Sequence, residues 1–121
     1  RVAGNVANIS SIASMEYAII HLKTEVIIVL GHQNCGAVTA AVAGGDNGYN
    51  LNHLLAHILP AIEATPDDAS LDEIIRKNTI LTVNELTIRS DIIANAVNSG
   101  DLEIIPAYYH LDSGKVDFIS S

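Results

Sequence analysis

Apolar residues in this chain follow two rhythms. Ile12, Met15, Ala18, Ile19 and Leu22 recur at the three- and four-residue spacing of a helix packed on one face. That spacing predicts a helix from a cap at Ser10 or Ser11 to about His21 or Leu22, after a loop over Arg1–Ser10. Lys23-Thr24-Glu25 leads into Val26-Ile27-Ile28-Val29-Leu30, an unbroken apolar run that predicts a buried strand. Helix, short link and strand read as half of a parallel βαβ unit. Beyond Cys35, an alanine-rich helix to about Ala43 is expected to pack closely on the sheet, and Gly44–Gly48 reads as a loop.

The helical rhythm returns from Leu51 to Ala64, with Pro60 marking a kink or break. Thr65-Pro66-Asp67-Asp68 reads as a turn or helix start. Leu71, Ile74, Ile75, Asn78, Leu81 and Thr82 then predict a helix over about Ser70–Leu86, and a further helix over Ser90–Val97 ends at Gly100. Leu102–Tyr109 and Lys115–Ile119, separated by Asp112-Ser113-Gly114, predict a closing hairpin. Three strands against four or five helices place the chain in the α/β class, with a mostly parallel sheet flanked by helices. A parallel central strand needs a neighbour on each side. Few are available here, so one or more N-terminal strands are expected to lie outside this sequence or to come from another chain.

Composition narrows the function. The 121 residues, 49% hydrophobic, suffice for a single domain over 1–121 with its own core. No apolar run approaches the roughly 20 residues of a membrane span, and no secretory leader pattern opens the chain. The net charge of −8, without a basic cluster, argues against nucleic-acid binding. The single cysteine, Cys35, excludes an internal disulfide and suits a reducing, cytoplasmic setting.

Candidate chemistry centres on Gly31-His32-Gln33-Asn34-Cys35-Gly36. It sits where a buried strand ends and a helix begins, the place where open α/β sheets put their active sites. Imidazole and thiolate are zinc ligands, and a helix N-terminus favours a thiolate as metal ligand or nucleophile alike. The plainer alternative is a core cysteine beside a glycine turn. His53 and His57, at i and i+4, have the spacing of a metal pair but lack the glutamate of a zinc-protease helix, and read as surface or interface histidines. Tyr108-Tyr109-His110 reads as core and edge packing, and Asp67, Asp68, Asp72 and Glu73 as acidic residues favoured at helix starts. Gly44–Gly48 lacks the lysine of a phosphate loop, and the sequon at Asn8 is set aside without a secretion signal.

Several segments resemble the β-class carbonic anhydrases. Arg1-Val2-Ala3-Gly4-Asn5 is similar to their R-N-A-G-N segment, and Met15-Glu16-Tyr17-Ala18 to their E-Y-A helix. Ile28–Val38 is similar to their G-H-x-x-C-G strand, and Ile105–Val116 to their closing hairpin. The match runs nearly the whole chain in order. The resemblance implies a zinc enzyme, with Zn2+ held by two cysteines and one histidine, that reversibly hydrates carbon dioxide to bicarbonate. On the matching positions the resemblance makes His32 and Cys35 ligands and places Tyr17 and Gly36 at the substrate pocket. His21, one helical turn beyond Tyr17, is a proton-transfer candidate by its position. Arg1 matches an arginine that in some members joins a separate bicarbonate site, a role not carried over because its partners there are not evident. A homodimer or larger even assembly is implied, and the chain is not expected to be a soluble monomer alone.

The departures are specific. The C-x-D-x-R motif, which carries the other cysteine and an Asp–Arg pair, is absent, and Val2 stands where asparagine is usual. The expectation divides between an enzyme whose site is completed from elsewhere and a truncated, non-catalytic homologue acting as a dimerisation module. A thiol protein using Cys35 alone is a third reading.

Overall fold

In a computed structural model, which describes residues 1–120, the helix–strand alternation folds into a short 3-10 turn (Ala3–Asn5), six α-helices and three strands. In chain order these are α1 (Ile9–Leu22), β1 (Val26–His32), α2 (Gly36–Ala43), α3 (Tyr49–Ala56), α4 (Leu59–Glu63), α5 (Leu71–Arg89), α6 (Asp91–Asn98), β2 (Glu103–Tyr109) and β3 (Val116–Phe118). No helix among the described residues is long and apolar enough to cross a membrane.

Helix ends follow cap chemistry. α1 starts earlier than its apolar rhythm suggests, because the Asn8 side chain accepts the Ser11 N–H at 2.9 Å. Lys23, left-handed at φ 56°, closes it. Ser70 caps α5 by accepting the Glu73 N–H at 3.1 Å, with Asp72 and Glu73 in the positive first turn. Asp67 and Asp68 fall in the turn before that cap. Ser90, almost fully buried, ends α5 and caps α6, and its hydroxyl donates to Glu16 Oε2 of α1 at 2.6 Å. The helix expected over 51–64 is two helices: Pro60 sits in the first turn of α4, where its missing N–H costs nothing, and the break falls before it.

β1 and β2 pair in parallel from Val26↔Glu103 to His32↔Tyr109, and β2 and β3 form the antiparallel hairpin. The strand order β1-β2-β3 leaves β1 at an edge. This corrects the reading of Val26–Leu30 as a buried strand: Val29 and Gly31 face the core, but Val26, Ile28 and Leu30 are 47%, 51% and 45% exposed. Only one face of β1 is covered.

Two apolar clusters form the core. Val38, Leu55, Ile58, Ala61, Ile75 and Tyr108 belong to one, and Ile12, Val29, Leu86, Ile93 and Leu102 to the other. The 19-residue α5 reaches both, through Ile75 and Leu86. α2 packs mainly on α3, the 3-10 turn and α5, rather than on the sheet as its alanines suggested. α5 comes so close to β1 that a Cβ on Gly31 would stand 2.3 Å from Thr79 Oγ1 and 3.3 Å from Ile75 Cγ2. Polar residues on α5 also hold the chain's first turn. Asn78 Nδ2 donates to the Gly4 carbonyl at 2.8 Å, and Thr82 Oγ1 donates to Asn5 Oδ1 at 2.8 Å.

Candidate metal centre

The end of β1 brings the two ligand-type residues into one groove. Gln33 extends the parallel ladder by donating its N–H to the Tyr109 carbonyl at 2.9 Å. Asn34 then takes a left-handed conformation at φ 56°, which asparagine tolerates better than most residues, and the chain reverses. That reversal puts Cys35 at the N-cap of α2, buried, with its carbonyl accepting the Thr39 N–H and hydroxyl at 3.0 and 2.9 Å.

Half-buried His32 holds its Nδ1 2.9 Å from the Gln33 carbonyl. A carbonyl only accepts, so Nδ1 carries the proton and Nε2 presents its lone pair. A backbone carbonyl on the far nitrogen is the usual way a metal-binding imidazole is oriented. The Gln33 side chain fastens the same turn to the hairpin: Oε1 accepts the Leu111 and Asp112 N–H groups at 2.9 and 3.3 Å, and Nε2 donates to Asp112 Oδ2 at 3.4 Å.

His32 and Cys35 line a groove of about 660 Å³ between the residue 1–7 segment, the start of α1 and the free edge of β1. Arg1, Ser11, Ser14 and Met15 border it. Imidazole nitrogen and thiolate sulfur fit zinc in type. They fall short in number, because among the described residues no group of three or more His, Cys, Asp or Glu side chains is assembled. Tyr17, 59% exposed on α1, stacks on His21 with ring centroids 4.5 Å apart, and neither lines the groove. Gly36 is exposed at the start of α2, with open space around its Cα, and also lies outside the lining.

A second polar cluster lies across the hairpin, away from the groove. The Arg76 guanidinium sits 4.1 Å from the centre of the Tyr108 ring, with Nε 2.8 Å from Asp72 Oδ2 and Nη2 3.5 Å from Asp117 Oδ2. His110 Nε2–H donates to the same Asp117 oxygen at 2.7 Å. Burial first, and then the neighbouring Asp72 carboxylate, push the Tyr108 hydroxyl up to about 12. Partial burial works against ionisation of Asp72, but the Tyr108 hydroxyl and Arg76 hold its carboxyl below the usual carboxylate range. The His110 hydrogen bond, then the charges of His110 and Arg76, do the same for Asp117.

Two sets of structural residues escaped the sequence reading. Asn78 and Thr82 carried a signal, being polar at helix-core spacing. Gln33 carried none, because its partners lie 78 and 79 residues away.

Residues 1–116 match the family described as carbonic anhydrase. The chain is 33% identical to a carbonic anhydrase of Mycolicibacterium smegmatis, over 99% of this chain and 61% of that protein. It is 32% identical to carbonic anhydrase 2 of Mycobacterium tuberculosis, over 95% of this chain and 58% of that protein. The fold is similar to that of a Coccomyxa β-carbonic anhydrase solved with acetazolamide (TM-score 0.87, 23% identity, 98% of this chain and 59% of that one). It is also similar to a tetrameric β-carbonic anhydrase of Sordaria macrospora (TM-score 0.77, 23% identity, 98% of this chain and 66% of that one). The chain thus spans about three fifths of the length of the curated relatives it matches.

Proposed function

From the premise that the chain belongs to the carbonic anhydrase family, in its β class, we propose that it carries the His32–Cys35 half of a zinc site for the reversible hydration of carbon dioxide to bicarbonate, completed by protein outside these 121 residues. The observation that carries this reading is the shared groove: His32, with its proton fixed on Nδ1, and Cys35, at a helix start, both line it. His32 Nε2 and Cys35 Sγ are the ligands this chain supplies. Zinc, when bound, supplies the Lewis acidity that makes water a nucleophile near neutral pH. The apolar side chains of β1 and Met15 give the groove walls suited to a small nonpolar substrate. In this reading Gly36, exposed at the start of α2 and outside the groove lining, borders the pocket once further protein completes it.

Tyr17 and His21 act, in this reading, in a self-associated form, Tyr17 bordering the pocket and His21 moving the proton. What supports assembly is exposed apolar surface: Ile20 and Leu22 on α1, and Val26, Ile28 and Leu30 on β1. The Sordaria relative, described as tetrameric, gives the precedent.

That no third His, Cys, Asp or Glu joins the pair among the described residues favours a second reading, a non-catalytic homologue acting as a dimerisation module. The test is zinc content per chain with carbon dioxide hydration on the same sample, for the wild type, His32→Ala and Cys35→Ser. One zinc per chain with activity, both lost in either variant, is the expected result for the completed enzyme. No zinc and no activity in the wild type would replace it with the module reading.

A further inference from the structure

We propose that His53 and His57 form a second metal site, independent of the His32–Cys35 groove, that takes a borderline divalent transition ion such as Cu2+ or Ni2+. The two histidines are one helical turn apart at the end of α3, and both are exposed. His57 is the C-cap residue but keeps helical angles (φ −71°, ψ −18°), so the one-turn relation to His53 holds. Their ring centroids are 5.1 Å apart, with the planes inclined at 67° rather than stacked face to face.

That separation is what chelation requires. Metal–nitrogen bonds of about 2.0–2.1 Å put each ring centroid roughly 3 Å from a shared ion, and two imidazoles on adjacent coordination positions then have centroids about 4.5–5 Å apart.

The hydrogen bonding points the same way. His57 Nδ1 lies 3.0 Å from the His53 carbonyl, an acceptor only, so Nδ1 carries the proton and Nε2 is left with its lone pair. A ligating histidine is commonly oriented by just such a carbonyl. Among the described residues His57 Nε2 and both His53 ring nitrogens have no protein partner. Two neutral imidazoles select ions of the copper, nickel and zinc group over Mg2+ or Ca2+, and copper most strongly. The chain's net charge of −8 favours cations generally. With no third ligand-type side chain assembled there, the remaining positions stay open to water or to a donor from another molecule.

The probe is Cu2+–iminodiacetate, whose chelate fills part of the coordination sphere and leaves room for two imidazoles. It is titrated into the full 121-residue chain carrying Cys35→Ser, to silence the thiol, and followed by calorimetry and electron paramagnetic resonance. One equivalent is expected, with a two-nitrogen signature. His53→Gln and His57→Gln each weaken binding by about tenfold or more, because each turns a two-point attachment into one point. His21→Gln and His110→Gln leave it unchanged. Equal affinity in His53→Gln, a one-nitrogen spectrum, or loss of binding only in His32→Gln would each overturn the proposal. Because both histidines are exposed, their substitution leaves the core intact, and this outcome does not depend on whether the groove holds zinc.

Discussion

The two edges of the sheet are finished differently. At the hairpin edge, the short β3 and its turn are braced by polar side chains. Gln33 grips the Leu111–Asp112 turn, His110 and Arg76 converge on Asp117, and the Arg76 guanidinium covers Tyr108. At the other edge β1 has no strand on its outer side among the described residues, and three apolar residues on one of its faces reach solvent. The ligand-type residues sit at the end of that open edge. Both edges leave backbone unpaired on their outer side and apolar side chains exposed, Val116 and Phe118 on β3 as well as Val26, Ile28 and Leu30 on β1, but the hairpin edge is braced by polar side-chain contacts. The candidate ligands lie at the β1 edge, so the proposed completion of the site concerns that edge.

The largest expected effect removes what the two edges share, the close seat of α5 on β1. Gly31→Ala drives a methyl into Thr79, a stiff residue whose hydroxyl is already bonded to the Ile75 carbonyl at 2.9 Å. A loss of about 1–3 kcal/mol is expected in denaturant unfolding, the usual scale for overpacking.

Gln33→Ala comes next and separates the hairpin from the groove turn. It removes three hydrogen bonds of the side chain. Since these are partly exposed, about 1–2 kcal/mol is expected. Amide exchange at Leu111 and Asp112 should accelerate while β1 stays protected.

A smaller effect is set by pH at the hairpin. The Asp117 carboxyl is held below 3.8 by the His110 hydrogen bond and then by the charges of His110 and Arg76. Its contribution is therefore present above that pH and lost as pH falls through the lowered value. Amide signals of β3 should broaden or shift in that acid range before those of β1. At the alkaline end the sign reverses. Tyr108 is raised from 10.0 to about 12, so its neutral form contributes fully below pH 10 and that contribution is lost as pH rises through about 12. Phenolate absorbance should show one late-titrating tyrosine, which Tyr108→Phe removes.

The smallest stability change is expected at the open edge. Ile28 is half exposed, so Ile28→Lys should alter the fold by no more than about 0.5 kcal/mol. Its effect should fall on assembly, with sedimentation shifting toward a smaller species. An unchanged assembly would remove the β1 face from the proposed self-association surface.

Much of this was legible along the chain. The strand–turn–helix at residues 26–43, the α5 periodicity and the closing hairpin all rest on local pattern, and local pattern reports local structure. The H-x-x-C pair was legible for the same reason, since four consecutive residues make the turn that presents it. The break between α3 and α4 was only half legible, because Pro60 signals either a kink inside a helix or the first turn of a new one.

Sequence by itself therefore determined the α/β class, the order of elements, the shortage of strands and the two candidate ligands. Tertiary structure alone decided that β1 is an edge, that α5 sits against Gly31, that Asn78 and Thr82 hold the first turn, and that Gln33 links the candidate ligand turn to the hairpin. Each of these depends on partners tens of residues apart. A residue's type states which bonds it can make, and only the folded path of the chain brings the partner within reach.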